Sequence, residues 1–142
     1  MLKRVLLVVA SLILLTACSS GSSKPATEVT VEMTDFAYSP AAITVPAGQP
    51  VTFTIENTGK IEHDFVVEKI KATTDMVQDS GSEAHHAHGQ EQNYDLHVSA
   101  GMGETSVFQL TVADPGTYKV FCSVEGHEAA GMVGELIVVD QE

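Results

Sequence analysis

Short runs in which apolar and polar residues alternate with a period of two constrain the fold of this chain more than any other feature. The runs at 29–34, 51–56 and 108–112 place Val, Met, Phe, Ile or Leu at every second position. Such alternation is typical of strands that bury one face. Because no long segment has helical spacing, the sequence predicts an all-β domain.

Further strands are predicted where short apolar runs are bounded by turn residues. The triplets Pro-Ala-Gly, Asn-Thr-Gly and Asp-Pro-Gly supply turns between them. Seven or eight short strands of this kind predict an antiparallel sandwich or a Greek-key barrel. The additional strands are predicted at Ile43–Pro46, Asp64–Lys69, Tyr94–Ser99, Thr117–Cys122 and Val133–Asp140.

One polar segment, at about residues 71–92, interrupts this pattern. It is rich in Asp, Ser, Gly and His and is longer than an ordinary connection between strands, which predicts an insert that is functional or disordered. His85, His86 and His88 lie in it and could form a second, weaker site for copper or zinc. Closely spaced histidines on a long loop also bind metal incidentally, and that alternative remains open.

The first residues of the chain predict export. Lys3 and Arg4 precede an apolar run from Val5 to Leu15, and Leu-Thr-Ala-Cys at 15–18 resembles the site at which bacterial lipoprotein precursors are cut. We therefore expect a signal peptide at 1–17, a lipidated Cys18 with a flexible linker at 18–27, and one domain at 28–142. An uncleaved signal anchor is the alternative.

Charge and cysteine content narrow the possible functions. Without Lys3 and Arg4, five basic residues face 19 acidic residues, a net charge of −14, which argues against nucleic acid as a partner. The acidic surface favours a basic partner or serves solubility alone. If Cys18 is lipidated, Cys122 is the one remaining thiol, and a thiol retained outside the cytosol is either reactive, metal-bound or inert and buried.

The segment Phe121–Met132 places three metal-binding side chains at equal intervals, Cys122, His127 and Met132. A thiolate, an imidazole and a thioether select a soft or borderline metal, and two histidines with one cysteine and a weak methionine form the blue-copper arrangement. His63, at the start of a predicted strand, supplies the second histidine. Each residue taken singly has an ordinary structural explanation, and a metal-free sandwich is the alternative.

The stretches "VPAGQPVTFTIENTG", "EHDF" and "FCSVEGHEAAGM" together resemble the cupredoxins, the blue copper proteins related to plastocyanin, azurin and auracyanin. The resemblance extends from about residue 27 to residue 139. It implies a Greek-key sandwich of about eight strands and one type 1 copper held by His63, Cys122, His127 and the axial Met132. It also implies that Asp64 bridges the two ligand loops, whereas His97 is expected to be structural.

The resemblance implies a one-electron carrier, not an enzyme. Oxidase domains of the family have histidines beside the cysteine, where this chain has Phe121 and Ser123, and a binuclear copper centre needs a second cysteine. We expect a monomer anchored by its lipid at the outer, periplasmic or extracytoplasmic side of a bacterial membrane, with redox proteins as partners. A lipoprotein that binds or delivers copper is the alternative.

Overall fold

The computed structural model describes residues 25–78 and 93–141. These residues form two five-stranded sheets, which confirms the predicted all-β sandwich. No helix among them is long and apolar enough to cross a membrane. The ten strands are β1 (Glu28–Thr34), β2 (Ala37–Ser39), β3 (Ala42–Pro46), β4 (Pro50–Asn57), β5 (His63–Val67), β6 (Ala72–Gln78), β7 (Leu96–Ala100), β8 (Thr105–Val112), β9 (Gly116–Phe121) and β10 (Val133–Val139).

The sheets are mixed, not wholly antiparallel. The first sheet has the order β2-β1-β4-β8-β6 and the second has the order β3-β10-β9-β5-β7. β1 pairs in parallel with β4, and β3 pairs in parallel with β10. Between β1 and β4 the chain passes through β3 in the other sheet, and this crossover allows β1 and β4 to run in the same direction.

Two strands were not predicted from the sequence. β2 is a three-residue strand that forms a hairpin with β1. β6 lies in the first third of the predicted polar insert at 71–92, where no strand was predicted. β6 is an edge strand paired with β8. Thr73, Thr74 and Asp75 are exposed, which explains why no period-two apolar pattern marks it.

The core between the sheets is built on three phenylalanines with no exposed surface. Phe53 of β4 and Phe108 of β8 stack with ring centroids 5.1 Å apart, and Phe65 of β5 packs 5.9 Å from Phe53 across the sandwich. Burial of each such ring contributes about 1.5–3 kcal/mol. The cluster therefore joins β5 firmly to the opposite sheet.

The strand directions bring three chain positions to one end of the second sheet. β5 and β10 each run antiparallel to β9, so both begin where β9 ends. His63 begins β5, Cys122 follows β9, and Met132 precedes β10. All five residues of β5 are buried, which leaves its first side chain little freedom to move.

Candidate metal centre

The loop from Cys122 to Met132 is held by its own backbone hydrogen bonds. The Cys122 N–H donates to the Met132 carbonyl at 3.2 Å, and the Met132 N–H donates to the His127 carbonyl at 3.0 Å. Gly131 has φ of +106°, a conformation that residues with a side chain rarely adopt. The turn at Gly131 thereby directs Met132 back towards the base of the loop, with Cys122 and His127 on the same side.

Three donor atoms converge in the space that this loop encloses. The Nδ1 atoms of His63 and His127 lie 3.2 Å apart, and His127 Nδ1 lies 3.3 Å from Cys122 Sγ. The three donor atoms all lie within 4.8 Å of one another, and all three residues are buried. Met132 has no exposed surface and adjoins this cluster through its backbone bonds to His127 and Cys122.

These separations fit a single metal ion. With bonds of about 2.0–2.3 Å, the lengths found for imidazole and thiolate on zinc, two ligands of one ion lie about 3–4 Å apart. A nitrogen, nitrogen and sulfur set on a loop that also carries the buried Met132 matches copper better than magnesium or calcium, which prefer oxygen. The residues present therefore fit the copper ion that the sequence predicted.

Asp64 connects the loops on either side of the sulfur, as predicted. Its backbone N–H donates to Cys122 Sγ at 3.3 Å, and its carboxylate accepts hydrogen bonds from the hydroxyls of Ser99 and Ser123. His97 also contacts this carboxylate, with Nε2 3.5 Å from Oδ2. His97 is thus no ligand, but it helps to fix Asp64, a role that the sequence did not show.

Sequence reasoning also missed the turn between β1 and β2. Asp35 Oδ1 lies 3.0 Å from His63 Nε2. The ring of Phe36 packs edge-on against His127 with centroids 4.8 Å apart, while 39% of Phe36 remains exposed. Only 6% of His127 is exposed, because Phe36 covers part of it.

Burial sets the protonation of the metal-free site. It raises the pKa of the Cys122 thiol to about 11, and the N–H groups of Asp64 and Val124 offset only part of this effect. Burial, followed by the neighbouring His63, lowers the pKa of His127 and keeps its ring neutral. Burial alone would raise the pKa of Asp64, but hydrogen bonds from His97, Ser123 and Ser99 lower it. Asp64 is therefore a fixed negative charge beside the sulfur.

Copper binding is expected to release one proton from Cys122. A thiol with a pKa of about 11 is protonated at neutral pH, whereas the metal binds the thiolate. Apparent copper affinity should therefore rise about tenfold per pH unit between about pH 7 and pH 9. Competition titrations and an indicator dye in weak buffer measure both effects. An affinity that stayed flat over this range would contradict the raised pKa.

A comparison with known protein families identifies the family to which this chain belongs. The sequence matches the family described as Cupredoxin-like domain over residues 7–102, more than half of the chain. The chain is a cupredoxin. The match includes His63 but ends before Cys122, so the convergence of the donor atoms is a separate observation that agrees with it. In this cupredoxin, His63, Cys122, His127 and Met132 form the set typical of a type 1 copper site.

Individual relatives agree with this assignment. The copper-resistant cuproprotein CopI of Rubrivivax gelatinosus is 35% identical over 128 residues, which cover 82% of this cupredoxin and 69% of CopI. Plastocyanin A/B of Petroselinum crispum is 30% identical over 101 residues, which cover 71% and 86% of the two chains.

A solved structure gives the same fold. Dithionite-reduced auracyanin from Roseiflexus castenholzii superposes with a TM-score of 0.61 and 24% identity over 82% of this cupredoxin and 99% of auracyanin. At that identity the likeness supports the fold alone.

Two predicted features of this cupredoxin lie outside the described residues. One is the lipidated Cys18 with the preceding signal peptide, and the other is the histidine cluster formed by His85, His86 and His88. Both remain predictions from the sequence.

Proposed function

We propose that this cupredoxin is a one-electron carrier. The observation that carries the proposal is the convergence of His63 Nδ1, His127 Nδ1 and Cys122 Sγ within 4.8 Å in a buried pocket of the described chain. Bound copper supplies a one-electron couple between Cu(I) and Cu(II). Electron transfer is fast when the ligands move little between the two states, and this set combines ligands that suit both.

The protein contributes rigidity at each donor. His63 begins a fully buried strand. Backbone hydrogen bonds across the loop fix the positions of Cys122, His127 and Met132 relative to one another. The Asp64 N–H donates a hydrogen bond to the sulfur of Cys122. Such hydrogen bonds hold ligands in one orientation whatever the charge on the metal. The site is therefore built to keep its geometry while an electron arrives or leaves.

Electron exchange with a partner is proposed to occur at the end of the domain that carries Phe36. Its ring lies between solvent and the buried His127, with 39% of its surface exposed. An apolar ring at this position lets a partner approach the copper ligand closely through a nonpolar contact.

Catalysis at this site is disfavoured by the ligand set. With His63, Cys122, His127 and Met132 all holding the copper, no open position would remain for a substrate, in contrast to catalytic metal sites, which keep one free. Cys122 is flanked by Phe121 and Ser123, so no histidine stands directly beside it in the sequence to connect it to further copper ions. We propose that the protein is not an enzyme.

Copper binding for homeostasis is the second candidate function. The relative CopI is described as a copper-resistant cuproprotein, and it is 35% identical to this chain. Delivery requires the metal to leave the protein, whereas electron transfer requires it to stay in both oxidation states. The buried ligands favour a metal that stays.

The protein is expected to retain the copper at the His63, Cys122 and His127 site in both the reduced and the oxidised state. Release requires the buried residues His63, His127 and Cys122 to separate, so we expect a moderate chelator to remove little copper over many redox cycles. Chelator competition and stopped-flow electron exchange with a soluble redox protein measure this. Rapid copper transfer to an apo-acceptor together with sluggish electron exchange would favour delivery.

We propose further that the protein acts as a monomer at the outer side of a bacterial membrane, anchored through Cys18, and exchanges electrons with redox proteins. The support is the sequence at 15–18 and the polar linker that follows it. The excess of acidic residues favours a partner with a basic surface.

Replacing Cys18 with alanine is expected to move the protein from the membrane fraction to the soluble fraction or leave an uncut precursor. Bacterial lipoprotein modification places several acyl chains on one residue, and more than one chain is needed for durable anchoring. Fractionation and mass spectrometry of the N-terminus test this. Wild-type protein found wholly in the soluble fraction would contradict the attachment.

A further inference from the structure

The imidazole of His63 makes polar contacts on both of its nitrogens. Nδ1 faces the donor cluster, 3.2 Å from His127 Nδ1, and Nε2 lies 3.0 Å from Asp35 Oδ1. A neutral imidazole carries one proton, and a carboxylate can only accept it. The Asp35 contact therefore places the proton on Nε2, which leaves the Nδ1 lone pair facing the metal position.

The surrounding loop holds Asp35 in this position. The Lys60 N–H donates to the same Asp35 Oδ1 at 3.0 Å. Buried Asn57 fixes the loop, because its Nδ2 donates to the carbonyls of Ile61 and Ala100, both at 2.8 Å.

Gly59 is required for this close packing. A Cβ at Gly59 would lie 2.5 Å from Asp35 Oδ1 and 2.8 Å from His63 Nε2, so only glycine leaves room for the contact. The turn between β1 and β2 and the loop before β5 thus pack closely against each other at the hydrogen bond between Asp35 and His63.

We propose that Asp35 is a positioning residue of the copper centre, whose carboxylate accepts the Nε2–H of His63, orients this ligand and favours the Cu(II) state. A carboxylate on the outer nitrogen of a metal-bound histidine raises the basicity of the ligand, and loss of such a partner typically costs about 10–100-fold in metal affinity. The negative charge stabilises the more positive metal ion. The inference rests on the copper site and not on the electron-carrier role.

The position of Asp35 at the surface agrees with this role. Its side chain is 28% exposed, whereas that of His63 has no exposure, so the contact joins a buried ring to a carboxylate at the surface. Asp35 can therefore stay charged while it acts on a ligand that solvent does not reach.

Three variants of the full copper-loaded chain test the inference. Asp35→Asn keeps an acceptor oxygen but removes the charge, and Asp35→Ala removes both. Glu32→Gln is the matched control, because it removes one exposed charge from β1, the strand that leads into the Asp35 turn. Glu32 contacts the Thr58 hydroxyl and no ligand in the described chain. In Asp35→Asn we expect Cu(II) affinity to fall about tenfold relative to Cu(I), a rise in potential of about 59 mV.

We expect a larger rise in the reduction potential for Asp35→Ala and no change in the potential for Glu32→Gln. In the metal-free protein, ¹⁵N NMR of the histidine rings should show the Nε2–H tautomer of His63 in the wild type and a mixture in Asp35→Ala. If Asp35→Ala does not fold, the comparison of Asp35→Asn with Glu32→Gln decides. Equal potentials for those two variants, or a tautomer independent of Asp35, would overturn the inference.

These outcomes separate the inference from the proposed function. A potential that depends on Asp35 together with slow electron exchange in the wild type would contradict only the carrier role. A wild type that exchanges electrons quickly and shows no dependence on Asp35 would contradict only this inference.

Discussion

The Cys122→Ser variant is expected to lose the intense visible band of the copper-loaded protein almost completely. That band arises from charge transfer between a thiolate and Cu(II), and a serine hydroxyl is a hard, weakly acidic donor that does not replace it. The two imidazoles remain, with Nδ1 atoms 3.2 Å apart, so some copper binding is expected to persist without colour. Visible absorption with metal analysis on the same sample separates colour from binding.

Ser123→Ala provides the matched control for this variant. Ser123 neighbours the ligand in sequence, and its hydroxyl donates to Asp64, but it offers no atom to the donor set. Its replacement should leave the band in place. If Cys122→Ser kept the band at wild-type intensity, the thiolate could not be its source, and the assignment of the site would be wrong.

The Phe53→Ala variant is expected to lose about 3–5 kcal/mol of unfolding free energy. Phe53 is fully buried, stacks on Phe108 and packs against Phe65, so its removal leaves a cavity between the two sheets. The free energy of unfolding of a domain of this size is about 5–15 kcal/mol in total, so the expected loss is a large fraction of its stability. Urea unfolding of the metal-free domain, followed by circular dichroism, measures it.

Ile61→Ala serves as the control. Because Ile61 is 43% exposed, its replacement should lower the free energy of unfolding by about 0.5 kcal/mol or less. A Phe53→Ala domain as stable as the control would mean that the rings do not join the sheets as described. Copper is left out of both measurements, since binding to the folded state would add its own stabilisation.

The period-two pattern predicted the fold well because the interior strands each bury one face. β4 and β8 show this directly, with Val51, Phe53 and Ile55 in one and Phe108 and Leu110 in the other facing the core. The same reasoning failed for β6, because this edge strand contains an exposed Thr-Thr-Asp stretch and has no alternation of apolar and polar residues. Its pairing with β8 depends on tertiary contacts. It also could not show the parallel pairs, which depend on where the chain crosses between sheets.

The donor set was predictable because metal ligation restricts side-chain chemistry sharply. Cys122, His127 and Met132 lie on one loop, and His63 belongs to a short motif before a strand. The contacts around the ligands were not predictable, since Asp35 lies 28 residues from His63 and carries no distinguishing motif. A hydrogen bond between such positions becomes visible only when the folded chain brings two turns together.

A copper titration of the purified wild-type domain tests the central claim most directly. Cu(II) is added to the reduced, metal-free protein while the visible spectrum is recorded. We predict that an intense blue or green band grows to a maximum at one copper per chain, bleaches on reduction and returns on reoxidation. No such band, with the Cys122 thiol shown to be intact, would contradict the assignment of a type 1 copper site.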